Sequence, residues 1–195
     1  MSIIIIGAGE VGYNVARKLS QERKDIIVIE KDEERIERVA QSLDVKTIHG
    51  SGSSISVLKR AGIDKASIVI SATNSDEVNM VACLVAGVQS IVPVKIARIR
   101  DPEYATNERM REKLQIDLVI NTDQEMVNTI LRILEIPGAR EVMEFAEGRI
   151  RVASFFIEEG SSLAGRSLQE IGEEFPDLKV VIAAIYRDHR VLIPR

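Results

Sequence analysis

Tryptophan is absent from the 195 residues, aromatic side chains amount to 4%, and cysteine occurs once, at Cys83. A single cysteine has no partner within the chain, so no intrachain disulfide framework or thiolate metal cluster can form. The two histidines, His49 and His189, lie far apart and share no ligand spacing with Cys83, so no metal centre is expected. Cys83 itself sits in the apolar stretch Met80-Val81-Ala82-Cys83-Leu84-Val85, where a free thiol packs as a small hydrophobe. Basic charge is also short: 26 Lys and Arg against 30 Asp and Glu leave a net charge of −4. That balance lacks the electrostatic footprint of a nucleic-acid binder. No apolar run reaches transmembrane length, and Ser2 leads into an apolar run without a basic leader. The expectation is a soluble cytoplasmic chain that inserts into no membrane and meets one only through a partner.

Glycine is where the information lies. Residues 2–12 read Ser-Ile-Ile-Ile-Ile-Gly-Ala-Gly-Glu-Val-Gly, a β-branched run that stops at Gly7, Gly9 and Gly12 in the spacing G-x-G-x-x-G. Val11, Val15 and Leu19 then recur at helical intervals. A strand, a glycine turn and a helix in that order form the seat of a dinucleotide pyrophosphate. The first glycine permits the turn, the second admits the phosphates, and the third lets helix and strand pack closely. The phosphates then meet the unpaired N–H groups of the helix N-terminus. The next strand signal, Ile26–Ile29, ends in Glu30, 18 residues beyond Gly12. This is where the fold places the carboxylate that holds the adenosine ribose. A carboxylate there repels a 2′-phosphate, which favours NAD over NADP, although Lys31 is adjacent.

Strand and helix signals alternate as far as Ile136. Strands are predicted at 2–6, 26–30, 46–49, 67–71, 91–96 and 118–120. Helices are predicted at 10–21, 32–42, 54–61, 76–86, 102–113 and 123–134. Asp32 and Asp123 read as N-caps, and Ala61-Gly62 and Ala86-Gly87 as helix stops. The expected fold class is α/β, a Rossmann-like, doubly wound parallel sheet of six strands over residues 1–136. Ile136-Pro137-Gly138 breaks the rhythm, and all four phenylalanines lie beyond it. Residues 137–195 read as a small α+β lobe with a hairpin of 141–145 and 149–157 turning at Glu147-Gly148. A helix follows at 167–174, then strands at 179–186 and 191–193 around an Asp188-His189 turn. The lobe looks unfinished and is expected to be part of a longer chain or to be completed by an oligomeric neighbour.

These strings resemble the RCK, or KTN, family of cytosolic potassium-transport regulators, in particular the peripheral subunits of Trk-type uptake systems. The likeness rests on residues 5–12, on Val-Ile-Glu-Lys-Asp (28–32) and on Ser-Ala-Thr-Asn-Ser-Asp-Glu-Val-Asn-Met (71–80). It continues through Lys-Ile-Ala-Arg-Ile-Arg-Asp-Pro-Glu-Tyr (95–104), Ile-Pro-Gly-Ala (136–139), Glu-Gly-Ser-Ser-Leu-Ala-Gly-Arg-Ser-Leu (159–168) and Ala-Ala-Ile-Tyr-Arg-Asp (183–188). Two features depart from the family pattern: Glu30 stands where Asp is frequent, and His-Gly-Ser-Gly (49–52) replaces Gly-Asp-Ala. The resemblance implies a regulatory subunit that binds NAD or NADH, with ATP or ADP possible at the same seat. It also implies a homodimer or larger ring, a membrane-embedded potassium transporter subunit as partner, and a location at the inner face of the membrane through that partner. The helix at 123–134, with Met126, Ile130, Ile133 and Leu134, would be the crossover and dimer element; packing on its own sheet accounts for part of the same stripe.

Site residues follow from both sources. The backbone of Gly7, Ala8, Gly9, Glu10, Val11 and Gly12 should cradle the pyrophosphate, Glu30 should accept from the ribose, and Ser51 and Gly52 should approach the adenine. The resemblance places Thr73 and Asn74 on the phosphate or nicotinamide-ribose side; as a turn and cap for the next helix they need no ligand. It also favours Arg98 over Arg100 as a phosphate clamp, a choice that strand alternation leaves open, and an ion pair with Asp101 or Glu103 is the alternative. Asp76 and Glu77 suit a helix first turn without further purpose. An NAD-dependent dehydrogenase is the competing function. It needs an acid–base pair beside the nicotinamide, and residues 140–195 offer only scattered Lys179, Tyr186 and His189. A redox repressor would need a helix-turn-helix with a basic face, which this acidic chain lacks.

Overall fold

The computed structural model describes residues 2–146, 148–175 and 180–194. The chain divides into two units, Met1–Ile130 and Leu131–Arg195. In the first, strands β1 (Ser2–Ile6), β2 (Asp25–Glu30), β3 (Lys46–His49), β4 (Ala66–Ser71), β5 (Val94–Arg98) and β6 (Leu118–Ile120) alternate with helices. The helices are α1 (Glu10–Gln21), α2 (Glu33–Ser42), α3 (Ile55–Arg60), α4 (Asp76–Gln89), α5 (Pro102–Ala105) and α6 (Glu108–Lys113), while α7 (Thr122–Glu135) runs across the division between the units. The six strands form one sheet in the order β3-β2-β1-β4-β5-β6, every pair parallel. The order reverses beside β1, so a crevice opens at the carboxyl ends of β1 and β4, where ligands sit in such sheets.

Ile3, Ile4, Ile5 and Ile6 explain why β1 lies in the middle. All four are almost wholly buried, and successive side chains enter opposite layers. Ile4 and Ile6 join Ile27, Ile29, Leu58 and Val69 on one face. Ile3 and Ile5 join Ala16, Val28, Ile36 and Val39 on the other. A third cluster, Met80, Cys83, Ala97, Ile99 and Ile116, closes the β5 side. Near it the buried Lys95 reaches Asp117 at 2.9 Å and donates to the Val92 carbonyl at 3.1 Å. Among the described residues no helix is long and apolar enough to cross a membrane.

Four local expectations are corrected. β5 begins at Val94 rather than Ile91; Pro93 has no N–H for the ladder, and Ile91 is almost fully exposed. α4 runs through Gly87 to Gln89. That glycine serves packing, since a Cβ on it would lie 2.3 Å from Gln115 Oε1. The predicted helix at 102–113 is two helices, because the Asn107 side chain accepts from Met110 N and caps the second. At α7 the residue that accepts from the first turn is Asn121, through Gln124 N at 3.0 Å, while Asp123 lies inside the turn.

The second unit holds two small antiparallel sheets, β7 (Ala139–Phe145) with β8 (Ile150–Phe155) and β9 (Ile185–Arg187) with β10 (Arg190–Leu192). Helix α8 (Leu168–Glu174) is capped by Ser167. The expected strand at 179–186 shortens to Ile185–Arg187, since residues 180–184 have no ladder partner among the described residues; Lys179 and the turn residue Glu147 lie outside those residues. None of the unit's described residues is buried, and all four phenylalanines are exposed.

Cys83 is fully buried, its sulfur 3.8 Å from the Ile96 carbonyl. Burial pushes its thiol from 9.0 up to about 12, an effect that Lys95 opposes and Asp117 reinforces. Below pH 9 both folded and unfolded chains keep the proton; between pH 9 and about 12 only the unfolded thiol ionises. Stability therefore falls as pH rises through that window, by at most about 1.4 kcal/mol per pH unit from this group. Chemical denaturation from pH 8 to 11 should show a steeper decline for the native chain than for Cys83→Ala, and a thiol reagent at pH 8 should label only unfolded protein.

Candidate nucleotide site

The chain leaves β1 through Gly7, whose φ of +97° lies in the region that glycine alone enters freely. A Cβ there would also lie 2.9 Å from Thr73 N. The turn is fastened by Gly7 N donating to the Ile29 carbonyl and Ala72 N donating to the Ile6 carbonyl, both at 2.8 Å. α1 then starts directly above. Gly12 faces the turn so closely that a Cβ would come within 1.9 Å of the Gly7 carbonyl oxygen. Gly9 is the N-cap of α1, and no side chain caps that helix. By contrast Asp32, Ser75, Asn107 and Ser167 cap α2, α4, α6 and α8. Among the described residues the first N–H groups of α1 thus have no side-chain acceptor, an arrangement suited to an anion.

Glu30 ends β2 with its side chain turned inward, 6% exposed. One carboxylate oxygen accepts from Ala8 N at 2.5 Å; the other accepts from Lys31 N and Asp32 N at 2.8 and 3.0 Å. The acid therefore ties the glycine turn to the start of α2. Ser51 and Gly52 follow β3. Ser51 Oγ pairs with Ser53 Oγ at 2.9 Å, and Gly52 is buried where a Cβ would lie 2.0 Å from Ile6 Cγ2.

Across the crevice, Asn79 is fully buried in α4. Its Oδ1 accepts from Ser71 Oγ, Thr73 N and Thr73 Oγ1 at 3.0, 2.9 and 2.7 Å. Its Nδ2 donates to the carbonyls of Thr73 and Arg98 at 3.2 and 2.7 Å. One amide thereby joins the loop after β4 to the end of β5. Asn74 projects beyond this knot; its Oδ1 accepts from Arg98 Nη1 at 3.4 Å, while Arg98 Nε donates to Thr122 Oγ1 at 3.3 Å. Arg100 instead contacts the Asn74 carbonyl and lies 3.8 Å from Asp76. Asp76, read from sequence as a plain first-turn acid, is buried and accepts from the backbone N–H groups of Arg100 and Asp101 at 2.9 Å each.

A cleft of about 590 Å3 opens over the glycine turn. Of the residues singled out in the sequence, Ala8, Gly9, Glu10, Val11, Asn74 and Arg98 line it. Gly7, Gly12, Glu30 and Thr73 stand behind that lining as its supports, and Ser51 and Gly52 do not contribute to it. Sequence reasoning missed Tyr13, Asn14, Arg17, Arg35 and Arg38, which line it as well. Helical spacing sets Tyr13 with Arg17 on α1 and Arg35 with Arg38 on α2, but nothing in the sequence separates them from ordinary exposed helix positions.

Two substitutions separate scaffold from lining. Gly12→Ala forces α1 off the glycine turn and should destabilise the fold by about 3 kcal/mol. Asn79→Ala strands the groups that met at its amide and should cost a similar amount, about 2–4 kcal/mol. Denaturant titration measures both; a loss within experimental error in either variant contradicts the packing described.

Comparison with known proteins agrees with this geometry. The family model described as the TrkA-N domain matches residues 3–122. The chain is 39% identical, over its whole length, to the Trk system potassium uptake protein TrkA of Halomonas elongata, and covers 43% of that protein. It thus spans less than half the length of this curated relative. Among solved structures, the GsuK RCK domain superposes with a TM-score of 0.67 over 98% of this chain and 40% of its own, at 19% identity. The GsuK channel bound to NAD gives a TM-score of 0.64 over 88% of this chain and 30% of its own, at 20% identity. At such identities these two speak for the fold alone. The family match reaches from the first strand of the parallel sheet to the last, and on that ground the chain belongs to the TrkA-N domain family.

Proposed function

We propose that this chain is a nucleotide-sensing regulatory element of a Trk-type potassium uptake system. An adenine dinucleotide, NAD or NADH, occupies the cleft over the glycine turn, and ATP or ADP competes for the same seat. The observation that carries this reading is the uncapped N-terminus of α1, opening through Gly9 into a cleft that Arg98 and Asn74 border on the far side. Gly7 to Gly12 hold the pyrophosphate, Glu30 sets the ribose side, Ser51 and Gly52 lie outside the cleft lining on the side where the adenine extends beyond it, and Thr73, Asn74 and Arg98 take the opposite end. Residues 1–136 are the binding domain and residues 137–195 the regulatory lobe. The relative from Halomonas elongata carries a potassium-uptake name, and related GsuK structures were determined with NAD and with ADP; both facts support the reading.

Occupancy acts mechanically in this proposal. Ligand shifts the equilibrium between arrangements of an oligomer by its difference in affinity for them. The oligomer sits at the cytoplasmic face of the membrane, held by its transporter partner. Oligomerisation is supported by α7, none of whose residues is buried although Met126, Val127, Ile130, Leu131 and Leu134 are apolar. A helix with so much uncovered apolar surface calls for a partner, and the second copy of this chain is the proposed one. A non-enzymatic role is favoured by the lining itself, which among the described residues holds no histidine, lysine or cysteine to pair as acid and base beside a nicotinamide.

Gly9→Ala tests the seat directly. The added methyl would have its nearest neighbours at 3.9 Å, so the unliganded protein should melt as the native one does. The methyl stands in the path of the phosphates, and calorimetric affinity for NADH should fall on the order of tenfold or more. Absence of binding heat and of any melting shift for native protein with NAD, NADH, ATP and ADP would refute the reading. Incubation with NADH and a panel of oxo-acids should leave the reduced-cofactor absorbance unchanged. Leu134→Asp should shift the chain towards monomer in light scattering at unchanged helix content.

A further inference from the structure

Among the described residues one buried side-chain oxygen has no hydrogen-bond partner, Asp76 Oδ1. Asp76 stands in the first turn of α4 and is buried, while its other oxygen accepts from the backbone N–H groups of Arg100 and Asp101. A carboxylate oxygen that gives up water without gaining a donor carries a desolvation penalty. An oxygen left so in a packed interior has a cause, which lies in what surrounds it. Its cationic neighbour is Arg100, whose Nε lies 3.8 Å from Oδ1, beyond hydrogen-bond reach. The other acid of the turn, Glu77, is exposed and accepts from the Ser75 hydroxyl at 2.6 Å.

A second acceptor holds Arg100 off. Its Nη2 donates to the Asn74 carbonyl at 2.6 Å. Nε and Nη2 share one edge of the guanidinium, so a single edge faces a neutral carbonyl and a carboxylate and closes fully on one of them at a time. Here it has closed on the weaker attractor. A carboxylate draws a guanidinium more strongly than a neutral carbonyl does, and burial enlarges the difference. Asn74 sits between two fixed residues: Thr73 is gripped by Asn79, and Ser75 caps α4. Asn74 itself is exposed, and its side chain borders the cleft. Its Oδ1 lies 3.9 Å from the position a Cβ on Gly9 would take and meets Arg98 by a long contact of 3.4 Å. A ligand over Gly9 thus touches Asn74, and Asn74 is tied from behind by Arg100.

We propose that Arg100 and Asp76 are positioning residues of the nucleotide seat, acting through Asn74. Arg100 holds the Asn74 carbonyl back; when Asn74 turns to a bound nucleotide, the released guanidinium closes on Asp76 Oδ1. This rests on the nucleotide-seat reading above, and it adds a source of affinity outside the cleft, since neither residue lines it. The buried charge of Asp76 is poorly paired before the exchange and well paired after it. The gain therefore belongs to the liganded state alone, which is the condition for a remote contact to strengthen binding.

Calorimetric titration of the full chain with NADH and with ATP, beside melting of the unliganded protein, tests the exchange. Asp76→Asn keeps an oxygen for the two backbone N–H groups and removes the charge. It should melt at or above the native temperature, because a poorly paired buried charge is gone, yet bind either nucleotide about fivefold more weakly. A merely structural Asp76 would lower both quantities. Arg100→Gln keeps a donor for the Asn74 carbonyl and should show a similar loss of affinity. The double variant should bind no more weakly than either single one, as two residues acting as a pair require. In NMR spectra the Arg100 Nε–H signal, assigned by its disappearance in Arg100→Gln, should move when nucleotide is added to native protein and stay in place for Asp76→Asn. Native affinity in Asp76→Asn overturns the proposal. So does a loss of affinity that comes with a lower melting temperature, a double variant whose losses add, or an unmoved Arg100 signal in native protein that binds. Native protein that binds neither nucleotide refutes the seat and the exchange with it, a result distinct from equal binding by native protein and Asp76→Asn.

Discussion

The structure depends on how closely α1 approaches the end of β1. Helix and turn meet where Gly12 faces the Gly7 carbonyl, at a separation that no side chain could share. That contact lowers the helix N-terminus onto the carboxyl end of the central strand, and it leaves Gly9 as a cap without a side chain. It also brings Ala8 N within reach of Glu30, so the end of β2 is locked to the same turn. Three elements thus converge on six residues. The cost is a helix start with unmet donors, a deficit that burial of four isoleucines in β1 readily offsets, each worth about 1.5–3 kcal/mol.

The opposite wall is built on a different principle. There the backbone is held by a buried side chain, not by glycine. Asn79 accepts three hydrogen bonds and donates two, and both loops it grips carry residues of the cleft. Asp76, one turn earlier, performs the corresponding task for the backbone of residues 100 and 101. A polar knot of this kind is strong only when complete, because each member left unpaired in the interior carries its desolvation penalty. Asn74 and Arg98 stand at its edge, joined by one long contact of 3.4 Å. Rigid support behind and a weak contact in front is an arrangement in which a ligand can displace the outer pair without disturbing the scaffold.

The parallel sheet was legible in the sequence because its signals are local and mutually consistent. Strand, glycine turn, helix and acid fall in order within residues 2–30, and the β-branched run of β1 permits few other readings. The misread boundaries have tertiary causes. Gly87 looks like a helix stop until Gln115 is seen against it, and Asp123 looks like a cap until Asn121 is found to do that work. The glycine motif marked the floor of the cleft, and Asn74 and Arg98 on its far wall came from the resemblance. Arg17, Arg35 and Arg38 were not legible, since arginines on exposed helix turns are common and only the packing of α1 beside α2 sets these three around one opening. Ser51 and Gly52 show the converse. Their position after β3 suggested a ligand, whereas the buried contact of Gly52 with Ile6 already accounts for a glycine there.

The two units obey different physics, and the contrast bears on mechanism. The first buries a continuous core on both faces of its sheet. The second buries none of its described residues and exposes Phe145, Phe155, Phe156 and Phe175. About sixty residues paired into two-stranded sheets rarely sustain an independent core, so apolar surface of this kind gains stability from association. A sensor of the kind proposed would benefit from that division. Ligand binding to a well-packed domain alters few of its internal contacts, because dense interiors resist continuous deformation. Weakly packed segments and exposed helix faces such as α7 are where a few kcal/mol of differential affinity can change which surfaces meet. The rigid domain would then supply selectivity for the nucleotide, and the marginal one would supply the alternative arrangements between which it selects.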